Sequence, residues 1–320
     1  MLQARDGILL FVIFTSITTG ILYPGVGEPL IPYPKYFMMA LLFLSFVSLQ
    51  VGQIFRIFRL EPRKLSLLIA AKLLILPVVV YFMFHVTVPR YALAALLLSG
   101  VSTGVLSPFF SIIVGANTPL VLSMVVTSSL LVPFSLPFLV KGLTGSGLEL
   151  SLWSMIQLLS MVVFVPIVLV ELVRKWAPKT LMGLEESRFT ASLVLIAMTN
   201  LGVFSKYSEY FRAEPGTVLA ALGVACFLAI FFFLAGLACT RGKDLYDQLS
   251  VVICFAVMNN ILVLVFASEF FGPLETILAA VYSIPFYGIL IPLRFYGVWK
   301  GEKRNKGQVT REPGSGNAFK

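Results

Sequence analysis

Lys72 is the one basic residue of this chain that stands well inside a long apolar run, LSLLIAAKLLILPVVVYFMF from Leu65 to Phe84. An ammonium at the centre of a hydrocarbon layer costs roughly 2.5–3.5 kcal/mol, so it usually faces a protein interior, a water-filled cavity or a partner. At 1.5 Å per residue it lies about 10 Å into a layer about 30 Å thick. Snorkelling to the nearer surface is the other reading, and the sequence leaves both open. Two further polar clusters sit at similar depth. YALAALLLSGVSTGVLSPFFSIIVGAN gathers Ser99, Gly100, Ser102, Thr103, Gly104, Ser107 and Pro108 at its middle, and QLSVVICFAVMNNILVLVFASEFFG carries Asn259 and Asn260 side by side. Hydroxyls, amides and one fixed positive charge can bind and orient a solute, but they do not supply acid/base, nucleophilic or metal chemistry. HExxH, GxSxG, a Cys-His set and a carboxylate pair at depth are all missing, which argues against an enzyme.

The elements that must position these groups follow from composition. With 58% hydrophobic residues, 12% charged and a mean hydropathy of +0.95, the chain cannot cover a water-facing surface. It reads as an all-α polytopic membrane protein, because the apolar runs are long and lack the alternation of a barrel strand. Ten runs approach the ~20 residues a spanning helix needs. They are Gly7 to Tyr23, Phe37 to Phe55, Leu65 to Phe84, Tyr91 to Val114, Pro119 to Val140, Leu152 to Val173, Thr190 to Phe204, Thr217 to Cys239, Gln248 to Ala267 and Pro273 to Tyr296. Met1 to Asp6 is too short for a cleaved leader, so the first run is expected to stay.

Charge sets the orientation. With both termini inside, 18 of the 24 basic residues fall on the cytoplasmic side, Arg188 and Arg294 among them, and five fall outside. That is the bias of a cell-membrane protein, and the net charge of +9 needs no nucleic-acid partner. Residues 1–299 read as one unit and 300–320 as a disordered cytoplasmic tail. Cys226, Cys239 and Cys254 form no CxxC pair and suggest packing; no metal or cofactor is indicated. His85, at the outer end of the Lys72 run, reads as a polar helix end.

The fourth and ninth runs are expected to be broken, since proline removes a backbone hydrogen bond and adjacent amides at depth need partners. Ordinary helix packing by small and polar residues is the alternative for each taken alone. Their placement argues otherwise. Ser107-Pro108 precedes Pro119-Leu120 by about the distance that separates Asn259-Asn260 from Pro273-Leu274. The helices that follow also echo each other, PLVLSMVVTSSLLVPFSLP against PLETILAAVYSIPFYGILIP. This is a weak 5+5 repeat whose halves enter the membrane oppositely, the pattern of a secondary transporter with its site at the midplane.

On these features the chain resembles the bile acid:sodium symporter family, most sharply in GVSTGVLSPFFSIIVGANTPLVLSMVVTSSLLVPFSLP and CFAVMNNILVLVFASEFFGP. The resemblance implies broken helices four and nine that cross. It also implies a core of spans 3 to 5 and 8 to 10, moving against a panel of spans 1, 2, 6 and 7. Sodium-coupled members hold two cations beside the crossing, and this sequence departs from their ligand pattern. Ser107 is kept, Pro108 stands for an Asn, Cys254 for a Glu and Met258 for a Gln, while Asn259 is kept and Lys72 falls on a Gln. The hydroxyls of helix five become Val121 and Val125 if counted without a gap, or remain as Ser123 and Thr127 if the loop is two residues longer. No carboxylate lies in a helix interior, and thiol and thioether sulfur are too soft for sodium.

The expected function is therefore alternating-access transport of an organic anion, either small or large and amphipathic, without sodium. Lys72 would stand where a cation stood, donating to Asn259, Ser107 or freed carbonyls, and Ser102, Thr103, Asn259 and Asn260 would line the solute pocket. Asn200 could add to it from the panel. A sodium-coupled carrier using Ser123 and Thr127, and a receptor that binds without moving its ligand, are the rivals.

Overall fold

A computed structural model describes residues 4–47, 62–145 and 151–298. The tail 300–320, the loop carrying Arg56 and Arg59, and the end of the second run lie outside the described residues. The described chain is helical, and its single β contact is an isolated antiparallel bridge between Thr103 and Met258.

We number the main helices in chain order. These are α1 (Ala4–Leu22), α2 (Pro34–Val47), α3 (Pro62–Thr87), α4 (Ala92–Gly100), α5 (Ser107–Val114) and α6 (Thr118–Thr144). They continue as α7 (Leu152–Trp176), α8 (Pro178–Lys206), α9 (Pro215–Cys239), α10 (Leu245–Ala256), α11 (Asn260–Phe270) and α12 (Pro273–Val298). Among the described residues six stretches are long and apolar enough to cross a membrane by themselves: α3, α6, α7, α9, α12 and Ser187–Lys206 of α8. The count rises to seven if α1 is joined with the turn Pro24–Leu30, which bends away by 111°. The fourth expected run is the pair α4 and α5, and the ninth is the pair α10 and α11.

Local chemistry explains these ends and breaks. Gly115 adopts φ +66° and closes α5, and Asn117 then caps α6 by accepting from the Leu120 N–H at 3.2 Å. Asn259 caps α11 in the same way, accepting from Leu262 N–H at 3.4 Å, so the Asn259-Asn260 pair starts a half-helix rather than interrupting one. α8 begins at Pro178, twelve residues before the expected Thr190, because Lys, Glu and Arg are good helix formers even where they cannot enter hydrocarbon. Pro133 and Pro137 sit inside α6 without ending it.

The contacts fall into two groups. α8 packs on α1 and α2, and α2 packs on α7; in the other group α3 lies against α4, α9 against α10 and α12, and α6 against α4, α5 and α10. Between the groups, α7 meets α6, and α11 touches α2, α7 and α8.

Candidate functional site

Around Lys72 the third helix is not regular. Ala71–Ile75 form a π-helical turn. Pro77 accounts for it: proline offers no N–H to the carbonyl four residues back and its ring crowds that carbonyl, so widening the turn relieves both. The wide turn carries Lys72 inward, where its side chain is 0% exposed. Its Nζ donates to the Ser99 carbonyl at 2.8 Å, the Val101 carbonyl at 2.9 Å and the Met258 sulfur at 3.1 Å. Three acceptors match the three protons of an ammonium. Two of them are carbonyls at the C-terminal end of α4, where the helix leaves carbonyls unpaired and its dipole is negative. Of the expected acceptors, the freed carbonyls are the ones used, and Asn259 and Ser107 bond elsewhere.

The two interrupted runs cross beside this amine. The segment after α4 and the segment after α10 run antiparallel, with Gly104 N–H donating to the Val257 carbonyl at 2.7 Å and Asn259 N–H to the Ser102 carbonyl at 2.9 Å. Backbone freed from helix is thus paired at depth, as hydrocarbon requires. Gly104 makes the approach possible: a Cβ there would lie 2.5 Å from the Met258 oxygen.

Side chains complete the accounting. Thr103 Oγ1 donates to the Cys254 carbonyl at 3.0 Å, Ser107 Oγ to Val257 at 3.4 Å, and Asn259 Nδ2 to Ser102 Oγ at 3.5 Å. Ser123 Oγ turns back onto the Pro119 carbonyl of its own helix at 3.0 Å, whereas the buried Thr127 Oγ1 has no partner among the described residues. Asn260 Nδ2 reaches Ser283 Oγ at 2.8 Å. Asn200 bonds Ser16 at 3.0 Å and ties α8 to α1, away from the crossing. His85 stacks on Tyr81 at an exposed helix end.

Two contributors escaped the sequence reading. Thr103 N–H donates to Ser128 Oγ at 3.0 Å, and the fully buried Tyr282 hydroxyl donates to the Ala256 carbonyl at 2.7 Å. Both are the tenth residue of the echoing segments that begin Pro119-Leu120 and Pro273-Leu274. The echo itself was the signal that could have found them.

A cavity of about 790 Å³ lies between α1 and α8 on one wall and α5, α6 and α12 on the other. Of the expected site residues Pro108 lines it, as does Val125, one of the alternative helix-five positions; Lys72, Ser102, Thr103, Ser107, Asn259 and Asn260 do not. Their polar atoms serve the crossing instead. Its walls are mostly apolar, with Arg188 and Arg294 the charged residues among those that line it. A second cluster ties the two helix groups together. Lys206 Nζ donates to the Ser268 carbonyl at 2.6 Å, Tyr207 hydroxyl to the same carbonyl at 3.2 Å, and Lys35 approaches Glu269 at 3.8 Å.

Long apolar helices packed around two interrupted ones that cross through paired backbone are the build of a multi-pass membrane transporter. The profile of the Sodium Bile acid symporter family matches residues 36–214, more than half of the chain, and the chain belongs to that family. It is by class a bile acid/sodium symporter-like transporter. The match runs from α2 through α8 and takes in Lys72 and the first crossing segment, while α10 and α11 lie beyond it. No curated protein matches the chain.

The family's name implies sodium, so the donor set can be tested against it. Sodium needs several oxygen ligands. Here the Ser99 and Val101 carbonyls accept from the Lys72 amine and Cys254 and Met258 offer sulfur, while the hydroxyl oxygens of Thr103, Ser107 and Ser123 keep lone pairs and the buried Thr127 Oγ1 and Asn260 Oδ1 have no partner among the described residues. A second positive charge about 4 Å from the first would cost about 4 kcal/mol even at an effective dielectric of about 20. What opposes sodium at the crossing is the Lys72 amine with the two carbonyls it occupies.

Proposed function

We propose that this protein is a secondary carrier of organic anions that works by alternating access and without sodium, its Lys72 ammonium holding the crossing where relatives would hold a cation. The observation that carries this reading is the burial of Lys72 with all three of its donors satisfied, two of them by the carbonyl end of α4.

Alternating access has support from two directions. The helix groups α1, α2, α7, α8 and α3 to α6, α9 to α12 correspond to the panel and core that the family resemblance implies. Contacts at Lys206, Tyr207 and Lys35 draw the groups together at one end, while the large cavity parts them at the other. A ten-span inverted repeat is supported by the recurrence of a broken helix followed by a proline-started long helix. The paired roles of Ser128 and Tyr282 point the same way. Both termini are cytoplasmic in this reading, which puts the arginine end of the cavity inside the cell.

Anion selectivity follows from charge. Among the described residues that line the cavity the charged ones, Arg188 and Arg294, are both basic. Uptake of a labelled bile acid into liposomes carrying the purified protein is the test, run with a sodium gradient and with choline in its place. The expected result is concentrative or exchange flux of equal rate in both media, and much lower flux with Lys72→Gln. Flux that requires sodium would overturn the sodium-free mechanism, and saturable binding with no flux would make the protein a receptor.

A further inference from the structure

Among the described residues two charged side chains are buried, Lys72 and Asp247, and the second takes no part in the crossing. Asp247 stands in the first turn of α10, and a carboxylate held away from water needs donors of its own. Lys64 of α3 donates to its Oδ2, and Asn117 Nδ2 donates to its Oδ1 at 3.2 Å. Neighbouring polar residues on α10 bond other elements. Ser250 Oγ accepts from the Asn117 backbone N–H at 2.7 Å. Gln248 Nε2 donates to the Lys243 carbonyl, just past α9, at 2.8 Å, and Gln248 Oε1 accepts from the Tyr296 hydroxyl of α12 at 2.6 Å. The start of α10 thus gathers α3, α12, the end of α9 and the connection from α5 to α6.

Of these elements α5 depends on the tie most. Its eight residues, Ser107–Val114, are too few to hold a helix without packing, yet Pro108, Phe109, Ile112 and Ile113 line one wall of the large cavity. Its first end is fixed at the crossing, where Ser107 Oγ and the Gly104 N–H both donate to the Val257 carbonyl. Its other end passes through Gly115 to Asn117, and there Asp247 and Ser250 hold it to α10. The half-helix α11 is treated differently, since its far end is bonded by Lys206 and Tyr207 of the other helix group. Resting on the carrier reading above, we infer that Asp247 is a positioning residue for transport: through Asn117 it keeps α5 on α10 as a fixed wall of the cavity, so that the core helices travel as one piece.

Asn117→Asp tests the tie with little other damage. Asp caps a helix as well as Asn does, so α6 keeps its start, but a second carboxylate then faces Asp247. Adding Asp247→Asn reverses the bond, with amide and carboxylate exchanged. In a background with the exposed Cys226 and Cys239 replaced by serine, Ser111→Cys, at a buried position of α5, reports lifting of that helix through its rate of reaction with an impermeant maleimide. Asn117→Asp should raise the rate about tenfold, the weight of one hydrogen bond to a charged group, and the double variant should return it to within about twofold. Thr199→Cys, buried in α8, should stay protected throughout, and uptake of labelled bile acid should fall with the single variant and recover with the double. An unchanged rate at Ser111→Cys, no recovery in the double variant, equal exposure of Thr199→Cys, or undiminished uptake would each overturn the positioning role. If the labelling pattern holds in a protein whose wild type shows no flux, the hold of Asp247 on α5 stands and the carrier reading fails.

Discussion

At Lys72 the energetics turn on what would be left behind if the amine were removed. A buried carbonyl without a donor costs roughly 1–3 kcal/mol, so Lys72→Met, which strands Ser99 and Val101, should lower stability by the sum of two such terms. Met258→Leu removes only a weak sulfur acceptor at nearly constant volume and should cost less than about 1.5 kcal/mol. Thermal unfolding in detergent separates the two, and equal shifts would contradict the cap assigned to Lys72. The sequence exposed this residue because a charge in an apolar run is conspicuous. It hid the acceptors, which lie 27, 29 and 186 residues away and, apart from the Met258 sulfur, are backbone atoms with no signature of their own. For the same reason the arginines of the cavity were read only as topology signals: whether a loop-proximal cation lines a cavity depends on helix packing, not on composition.

Among the elements, the crossing is the one that tolerates least change. Gly104→Ala places a methyl 2.5 Å from the Met258 carbonyl oxygen, a backbone atom that cannot move without breaking the Gly104–Val257 and Asn259–Ser102 pairing. The expected outcome is loss of folded protein or of transport, whereas Gly142→Ala, with open space around its position, should be silent. Size-exclusion recovery and uptake by the two variants check this; a normal Gly104→Ala protein would mean the backbones do not meet as described. The breaks themselves were legible, since Gly, Ser and Pro crowd one run and paired asparagines the other. The π turn was not, because Pro77 five residues beyond Lys72 could equally have produced a plain kink. The full length of α8 was missed for a different reason: hydropathy registers membrane depth, and α8 extends past the apolar layer through residues that favour helix but not hydrocarbon.

For the molecule as a whole, the two helix groups meet where α7 packs on α6 and α11 on α2, α7 and α8; polar contacts join them at one end, and a cavity separates them at the other. The Lys35–Glu269 pair is about one-third exposed on each side and so contributes little, on the order of 0–1 kcal/mol. Lys206 and Tyr207, which cap the carbonyl end of α11, are the stronger hold. With the exposed Cys226 and Cys239 replaced by serine, a cysteine placed at the buried Ser268 should react several-fold faster with an impermeant maleimide when Lys206 is also changed to methionine. Glu269→Gln should change that rate far less. Unaltered labelling with Lys206→Met would mean that these contacts do not govern opening of that face. The central claim is that an ammonium of the chain itself occupies the place of a cation, and it is tested most directly by melting the purified protein in matched sodium and choline chloride series. Anything that binds the folded state alone raises its melting temperature with concentration. Coincident curves at every salt concentration are predicted, and a saturable rise in sodium alone would contradict the account.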